Sequence, residues 1–411
     1  MTSGGNLASH LHLSAMPYLD HAATTPMRPE AIAAMAAQFG DVGNASSLHT
    51  AGRRARRVVE ESREVIAGHL GANPSDVVFT AGGTESDNLA VKGLFWARRT
   101  QDPQRVRFLT SAIEHHALID PLMWLGKAED AQICQVGVDS DGRLDLEALA
   151  ELITHDPDSV AAISVMLANN EVGTTQPLLE VVAMAKAHDI PVHTDAVQAV
   201  GQLEVNFADL GVAAMSVSAH KLGGPTGIGA LLLGRSIEPT PILHGGGQER
   251  NVRSGTLDVP AIAGFAAALD AAMNDRVERN TRVSALRDDL VARVQQAVPD
   301  AVLNGSPLLD EAHRLPNNVH FSFPGCQGDA LLMLLDAKGI ECSTGSACSA
   351  GIAQPSHVLL ALGASQTAAR SSLRFSLGWN STQADVDAVV EAIAPAVERA
   401  RLASGTLVDH A

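Results

Sequence analysis

The chain has 411 residues, 46% hydrophobic and 18% charged, with aromatics at only 3%. That length supports one large domain plus a smaller one, with cores built from Ala, Val, Leu and Ile. A net charge of −17 argues against nucleic acid and anionic lipid as partners, and no run approaches the ~20 apolar residues of a membrane span.

Residues 1–17 lack a basic region followed by an apolar run. They read as a disordered extension rather than a secretory signal, and the chain as cytoplasmic. From about residue 50 to 235, short apolar runs alternate with helical patterns. The strand candidates are Val77–Thr80, Val106–Thr110, Gln132–Val138, Val160–Leu167, Ile190–Thr194, Met215–Ser218 and Ile228–Leu233. Helical spacing covers Glu85–Ala97, Leu144–Leu152 and Leu178–His188. Near-continuous apolar strands separated by helices predict an α/β domain with a mostly parallel, doubly covered sheet. Its active site belongs at the carboxyl ends of the strands.

After about residue 258 the pattern changes. An Ala-rich helical region, Val259–Ala297, leads to a strand candidate at Asn317–Phe323 and a helix at Asp329–Lys338. A Gly/Ser-rich loop, a strand at Leu373–Leu377 and a final helix from about Gln383 to Leu402 follow. This predicts a smaller α+β domain. Arg53, Arg54, Arg56 and Arg57 spread over more than one helix face and read as solvated surface. Cys134, Cys326, Cys342 and Cys348 contain no CxxC pair, which argues against a disulfide framework or a structural zinc, and no metal is expected.

Four segments carry chemistry. Ser216–Lys221, followed by Leu222–Gly229, places a lysine after an apolar strand and before glycines. An amine there can form a Schiff base with an aldehyde cofactor if its pKa falls from ~10.4, and Ser218 and His220 offer donors to a phosphate. Thr80–Asn88 runs from a strand end through glycines into a helix, the form of a phosphate cradle at Gly83 and Thr84. His193–Gln198 follows a strand; Asp195 can keep a pyridine nitrogen protonated, and Gln198 can bond the ring hydroxyl. Glu114–His116 follows another strand and puts an imidazole, His115, where it can stack on a ring and move protons. Each segment also has a plain reading: a loop lysine, a capped helix, a paired aspartate, a surface histidine. Their order across one α/β domain favours the cofactor pyridoxal 5′-phosphate.

With these residues, the chain resembles the class V aminotransferase family of pyridoxal-phosphate enzymes, and within it the cysteine desulfurases of the IscS/NifS kind. The matching blocks run from Tyr18–Pro26 through Gly43–Ser47, Asn169–Gly173, His244–Arg250 and Arg253–Thr256 to Ser343–Cys348 and Arg374–Gly378. Ala45, Gly224 and Thr226 depart from the usual pattern without removing a group the chemistry needs.

The resemblance implies a fold-type I enzyme. Residues 30–275 would form the large cofactor-binding domain; 18–29 and 276–400 would form the small domain with the catalytic cysteine loop. It implies Lys221 as the Schiff-base lysine, with Gly83, Thr84, Ser218 and His220 as phosphate contacts and Thr256 as one donated by the second subunit of a homodimer. His115 would stack on the ring, Asp195 would face the pyridine nitrogen, Gln198 the ring hydroxyl, and Asn170 would lie beside the ring. Arg374 and Asn44 would hold the substrate carboxylate. Cys348, in a stretch of small residues suited to a moving loop, would take sulfur from L-cysteine, with deprotonating help from His115. The products would be an enzyme persulfide and L-alanine. The sulfur would pass to an iron–sulfur scaffold or another acceptor protein, with tRNA thiolation a further destination. A selenocysteine lyase uses similar residues and is the alternative reading.

Overall fold

The computed structural model describes residues 16–235, 238–345 and 354–405. The Cys348 loop and most of the N-terminal extension lie outside the described residues. Among the described residues, ten strands form two sheets: β1 Val77–Thr80, β2 Arg107–Ser111, β3 Gln132–Val136, β4 Val160–Ser164, β5 Val192–Asp195, β6 Ala214–Ser218, β7 Gly229–Leu233, β8 Val302–Leu303, β9 Asn318–Ser322 and β10 Ser372–Ser376.

The larger sheet has the order β1-β7-β6-β5-β4-β2-β3. Every predicted strand of the first half is present, within a few residues of its expected ends. β1, β2, β4, β5, β6 and β7 are buried along their whole length, which is why they read as unbroken apolar runs. β3, at the edge, is largely open to solvent. Only β7 breaks the parallel arrangement, pairing antiparallel with both β1 and β6. The 219–228 link is too short for a parallel crossover, so the chain doubles back beside the strand it has just left.

β8, β9 and β10 form a second, antiparallel sheet. Its core is distinct: Leu19, Leu290, Val319, Phe321, Phe375 and Ile393 pack together there, away from the cluster around Phe79, Ile163, Met215 and Phe265. The Ala-rich stretch predicted as one helical region is two helices, Val259–Asn274 and Arg276–Ala297. The break falls at Asn274-Asp275, a pair of weak helix formers. Asp275 is held there by Arg28 at 2.9 Å and by Arg279. The first helix packs in the large core, the second in the small one. At the N-terminus the Pro17 carbonyl accepts from the Glu341 N–H at 3.0 Å, so the chain is engaged from there onward. Among the described residues no helix is long and apolar enough to cross a membrane.

Candidate active site

A cavity of about 410 Å³ opens at the carboxyl ends of the central strands. Each wall follows from local structure. The helix Gly83–Gln101 starts behind an N-cap, Gly82, that offers no side-chain cap, so the first N–H groups of the helix are free for an anion. A Cβ at Gly83 would lie 3.0 Å from Val197 Cγ2; glycine keeps that floor open. β5 ends in Asp195 and β6 in Ser218, and the tight turn Ala219–Lys221 delivers His220 and Lys221 to the same rim. Arg374 arrives from β10, in the other sheet, beside Asn170.

The lysine amine is held by backbone. Lys221 Nζ donates to the carbonyls of Ala22 and Ala23 at 2.6 and 2.7 Å. Gln198 Nε2 donates to the same Ala22 carbonyl at 2.9 Å. Burial, with the Arg374 guanidinium adding to it, lowers the Lys221 pKa to about 8, against the pull of Asp195 and Asp20. Asp195 is pushed up to about 6 by burial, opposed by the Val197 N–H it accepts at 2.8 Å and by Lys221. Arg374 is fixed by Asp20 at 2.8 Å and the Asn170 carbonyl at 2.9 Å. Glu171, fully buried beside it and hydrogen-bonded by Ser356, is pushed up to about 7 by burial.

His115 caps the helix His116–Ala128, its Nδ1 accepting from the Ala117 N–H at 3.0 Å. In the neutral ring the proton therefore sits on Nε2. Burial, then the nearby Lys221, lowers its pKa to about 4. His115 thus meets the cavity as a neutral donor. Its expected help in deprotonating a thiol would need a change of tautomer that breaks the cap. His220 is likewise lowered to about 4 by burial and lies 3.2 Å from Thr24 Oγ1.

Of the residues singled out from sequence, Gly83, Thr84, His115, Asn170, Asp195, Gln198, Ser218, His220, Lys221 and Arg374 line this one cavity. Asn44 and Thr256 do not: both are exposed, and Asn44 Oδ1 accepts from the Ser46 N–H within its own turn. Cys348 falls outside the described residues. Sequence reasoning passed over the two alanine carbonyls, Asp87, Glu171 and His357. Asp87 lay one helical turn past Gly83, on the same face, and that spacing is the signal that could have found it.

The class V aminotransferase model matches residues 17–389. The chain is 55% identical over 95% of its length to an IscS-like cysteine desulfurase of Mycobacterium tuberculosis, covering 98% of that protein. It is 41% identical to cysteine desulfurase IscS of Dictyoglomus turgidum, over 94% of this chain and 96% of that one. A solved NifS-like protein superposes with a TM-score of 0.85 at 33% identity, over 94% of this chain and all of the other. The protein belongs to the class V aminotransferase family, and its cofactor is pyridoxal 5′-phosphate. The residues present fit that group: an amine of lowered pKa, an uncapped helix start with a glycine floor, and a buried carboxylate at the far end share one cavity of adequate size.

Proposed function

We propose that this protein is a cysteine desulfurase that passes the sulfur of L-cysteine to Cys348 and releases L-alanine. The observation that carries this reading is the convergence of Lys221, Asp195, His115 and Arg374 on one cavity from separate elements of both sheets. Its near relatives are named as cysteine desulfurases, which favours L-cysteine over selenocysteine.

Bound there, pyridoxal phosphate supplies an electron sink conjugated to the substrate nitrogen. The chain's residues do the rest. Thr84, Gly83, Ser218 and His220 would hold the phosphate, and Asp195 would keep the proton on the pyridine nitrogen. His115 would stack on the ring with Nε2–H as donor, Gln198 would meet the ring hydroxyl, and Asn170 would lie beside the ring. Arg374 takes the substrate carboxylate and so sets the Cα–H bond near Lys221. Lys221 Nζ, whose lowered pKa makes the neutral amine more accessible than in an exposed lysine, would remove the α-proton. Cys348 thiolate attacks the substrate Sγ, so that an S–S bond forms as the Cβ–Sγ bond breaks. Protonation of the remaining carbon skeleton gives alanine, and the persulfide stays on Cys348.

A homodimer belongs to this proposal. Thr256 is exposed in one chain, which suits a phosphate contact donated by the second subunit. An iron–sulfur scaffold or another acceptor protein as the destination of the sulfur, and a cytoplasmic setting, belong to it as well. So does a division into 30–275 and 18–29 with 276–400, supported by two separate cores, with Leu19 in the second.

The test is to purify the protein with its visible chromophore and assay sulfide and alanine from L-cysteine. Cys348→Ser should keep the chromophore and lose sulfide production; full activity in that variant would overturn the role of Cys348.

A further inference from the structure

Behind Asp195 lies a second carboxyl that the mechanism above does not use. Asp87, on the helix Gly83–Gln101, is 1% exposed, lines the cavity, and its Oδ1 has no hydrogen-bond partner. Its neighbours form a buried chain: Ser164 Oγ lies 2.8 Å from His193 Nδ1, His193 Nε2 lies 2.9 Å from Ser216 Oγ, and Ser216 hydrogen-bonds the Asp87 carboxyl. His193 is fully buried and kept neutral, its pKa lowered to about 3 by burial, so it brings no positive charge to Asp87 although Nε2 stands only 3.7 Å from Oδ1. One consistent direction runs through the chain: the Ser164 hydroxyl donates to Nδ1, Nε2–H donates to Ser216, and the Ser216 hydroxyl donates to Asp87. That leaves Oδ1 as the oxygen able to carry a proton of its own.

The titratable groups facing Asp87 are His193 and Asp195 on β5 and Glu114 beyond the end of β2. Burial, and then the charges of Asp195 and Glu114, hold the Asp87 pKa well above the usual carboxylate range. Glu114 is raised for the same first reason. Three buried carboxyls cannot all be charged in so small a volume, and Asp195 is the one with a cation, Lys221, working in its favour.

We propose that Asp87 is a positioning residue that acts through Asp195: as a neutral acid in the same buried cluster, it leaves Asp195 the only charged carboxylate at the pyridine end of the cavity. The inference rests on the pyridoxal-phosphate reading of the site and adds the question of which of its acids is ionised.

The test uses the holoenzyme. The infrared spectrum of the wild type near neutral pH should show a buried carboxylic-acid carbonyl band that Asp87→Asn removes. The same substitution replaces a neutral acid by a neutral amide, so the pH midpoint of the bound cofactor's visible absorbance should move by less than ~0.5 unit. Asp87→Ala likewise removes no charge and should also leave that midpoint within ~0.5 unit of the wild type. A midpoint shift of ~2 units in Asp87→Asn, the effect of deleting a full charge a few ångströms away at an effective dielectric of ~20, would overturn the proposal. Absence of the carboxylic-acid band would overturn it too, and both measurements decide the matter even if Asp87→Ala fails to fold. A wild type that binds no pyridoxal phosphate would instead defeat the reading of the whole site, an outcome distinct from a shifted midpoint.

Discussion

The amine of Lys221 is where the geometry makes its most quantitative demand. In the cofactor-free protein its pKa falls from 10.5 to about 8. The sign is that of a buried base: desolvation penalises the ammonium, so the neutral amine dominates above about pH 8 rather than above 10.5. At pH 7 about one molecule in ten then carries a free amine, against roughly one in three thousand for an exposed lysine, a ~300-fold gain in the nucleophilic form. The carbonyls of Ala22 and Ala23 work the other way, since they accept from Nζ at 2.6 and 2.7 Å, but they also fix where the amine points.

The assay follows the rate at which cofactor-free protein captures a neutral aromatic aldehyde, which has no ionisation of its own, as pH is raised. The rate should climb about tenfold per pH unit and level off near 8. Two variants should move that midpoint in opposite directions. Arg374→Gln removes a positive neighbour that lowers the Lys221 pKa and should raise the midpoint; Asp195→Asn removes a negative neighbour that raises it and should lower the midpoint, each by ~1 unit. A wild-type midpoint near 10.5, or both variants shifting the same way, would refute the account of Lys221 as a desolvated base.

The strands of the large sheet were legible because burial on both faces leaves an unbroken apolar run, a signal that survives without knowledge of neighbours. The reversal of β7 was equally available, in a link too short to cross the sheet. The small sheet was harder to read: β8 is two residues long and carries no pattern of its own. In the site, Asp195 and Lys221 were legible as chemistry-bearing residues just where apolar strands end. The Ala22 and Ala23 carbonyls were not, because a backbone acceptor leaves no mark in the identity of its side chain. Asp87 was hidden by its company, reading as one more polar residue in a helix start; only its phase relative to Gly83 turns it toward the cavity. Asn44 and Thr256 came from resemblance alone: neither lines the cavity, and no local pattern in the sequence marks them.

The remaining expectations concern the frame that holds the site. Arg63 and Glu249, nearly buried, pair through both guanidinium nitrogens at 2.8 Å, and Glu249 also accepts the Phe79 N–H at 2.9 Å. Arg63→Met strands the carboxylate and should cost ~3–5 kcal/mol in chemical denaturation, most of it recovered by adding Glu249→Gln; a loss under ~1 kcal/mol would show the pair to be dispensable. Gly378 lies against the buried ring of His21, where an added Cβ would come within 2.0 Å of Nδ1. His21 directly precedes the alanines whose carbonyls hold Lys221. Gly378→Ala should therefore cost ~1–3 kcal/mol in stability and also slow aldehyde capture by Lys221. If stability falls while the capture rate and its pH midpoint stay unchanged, the segment carrying His21 is coupled to the core but not to the amine.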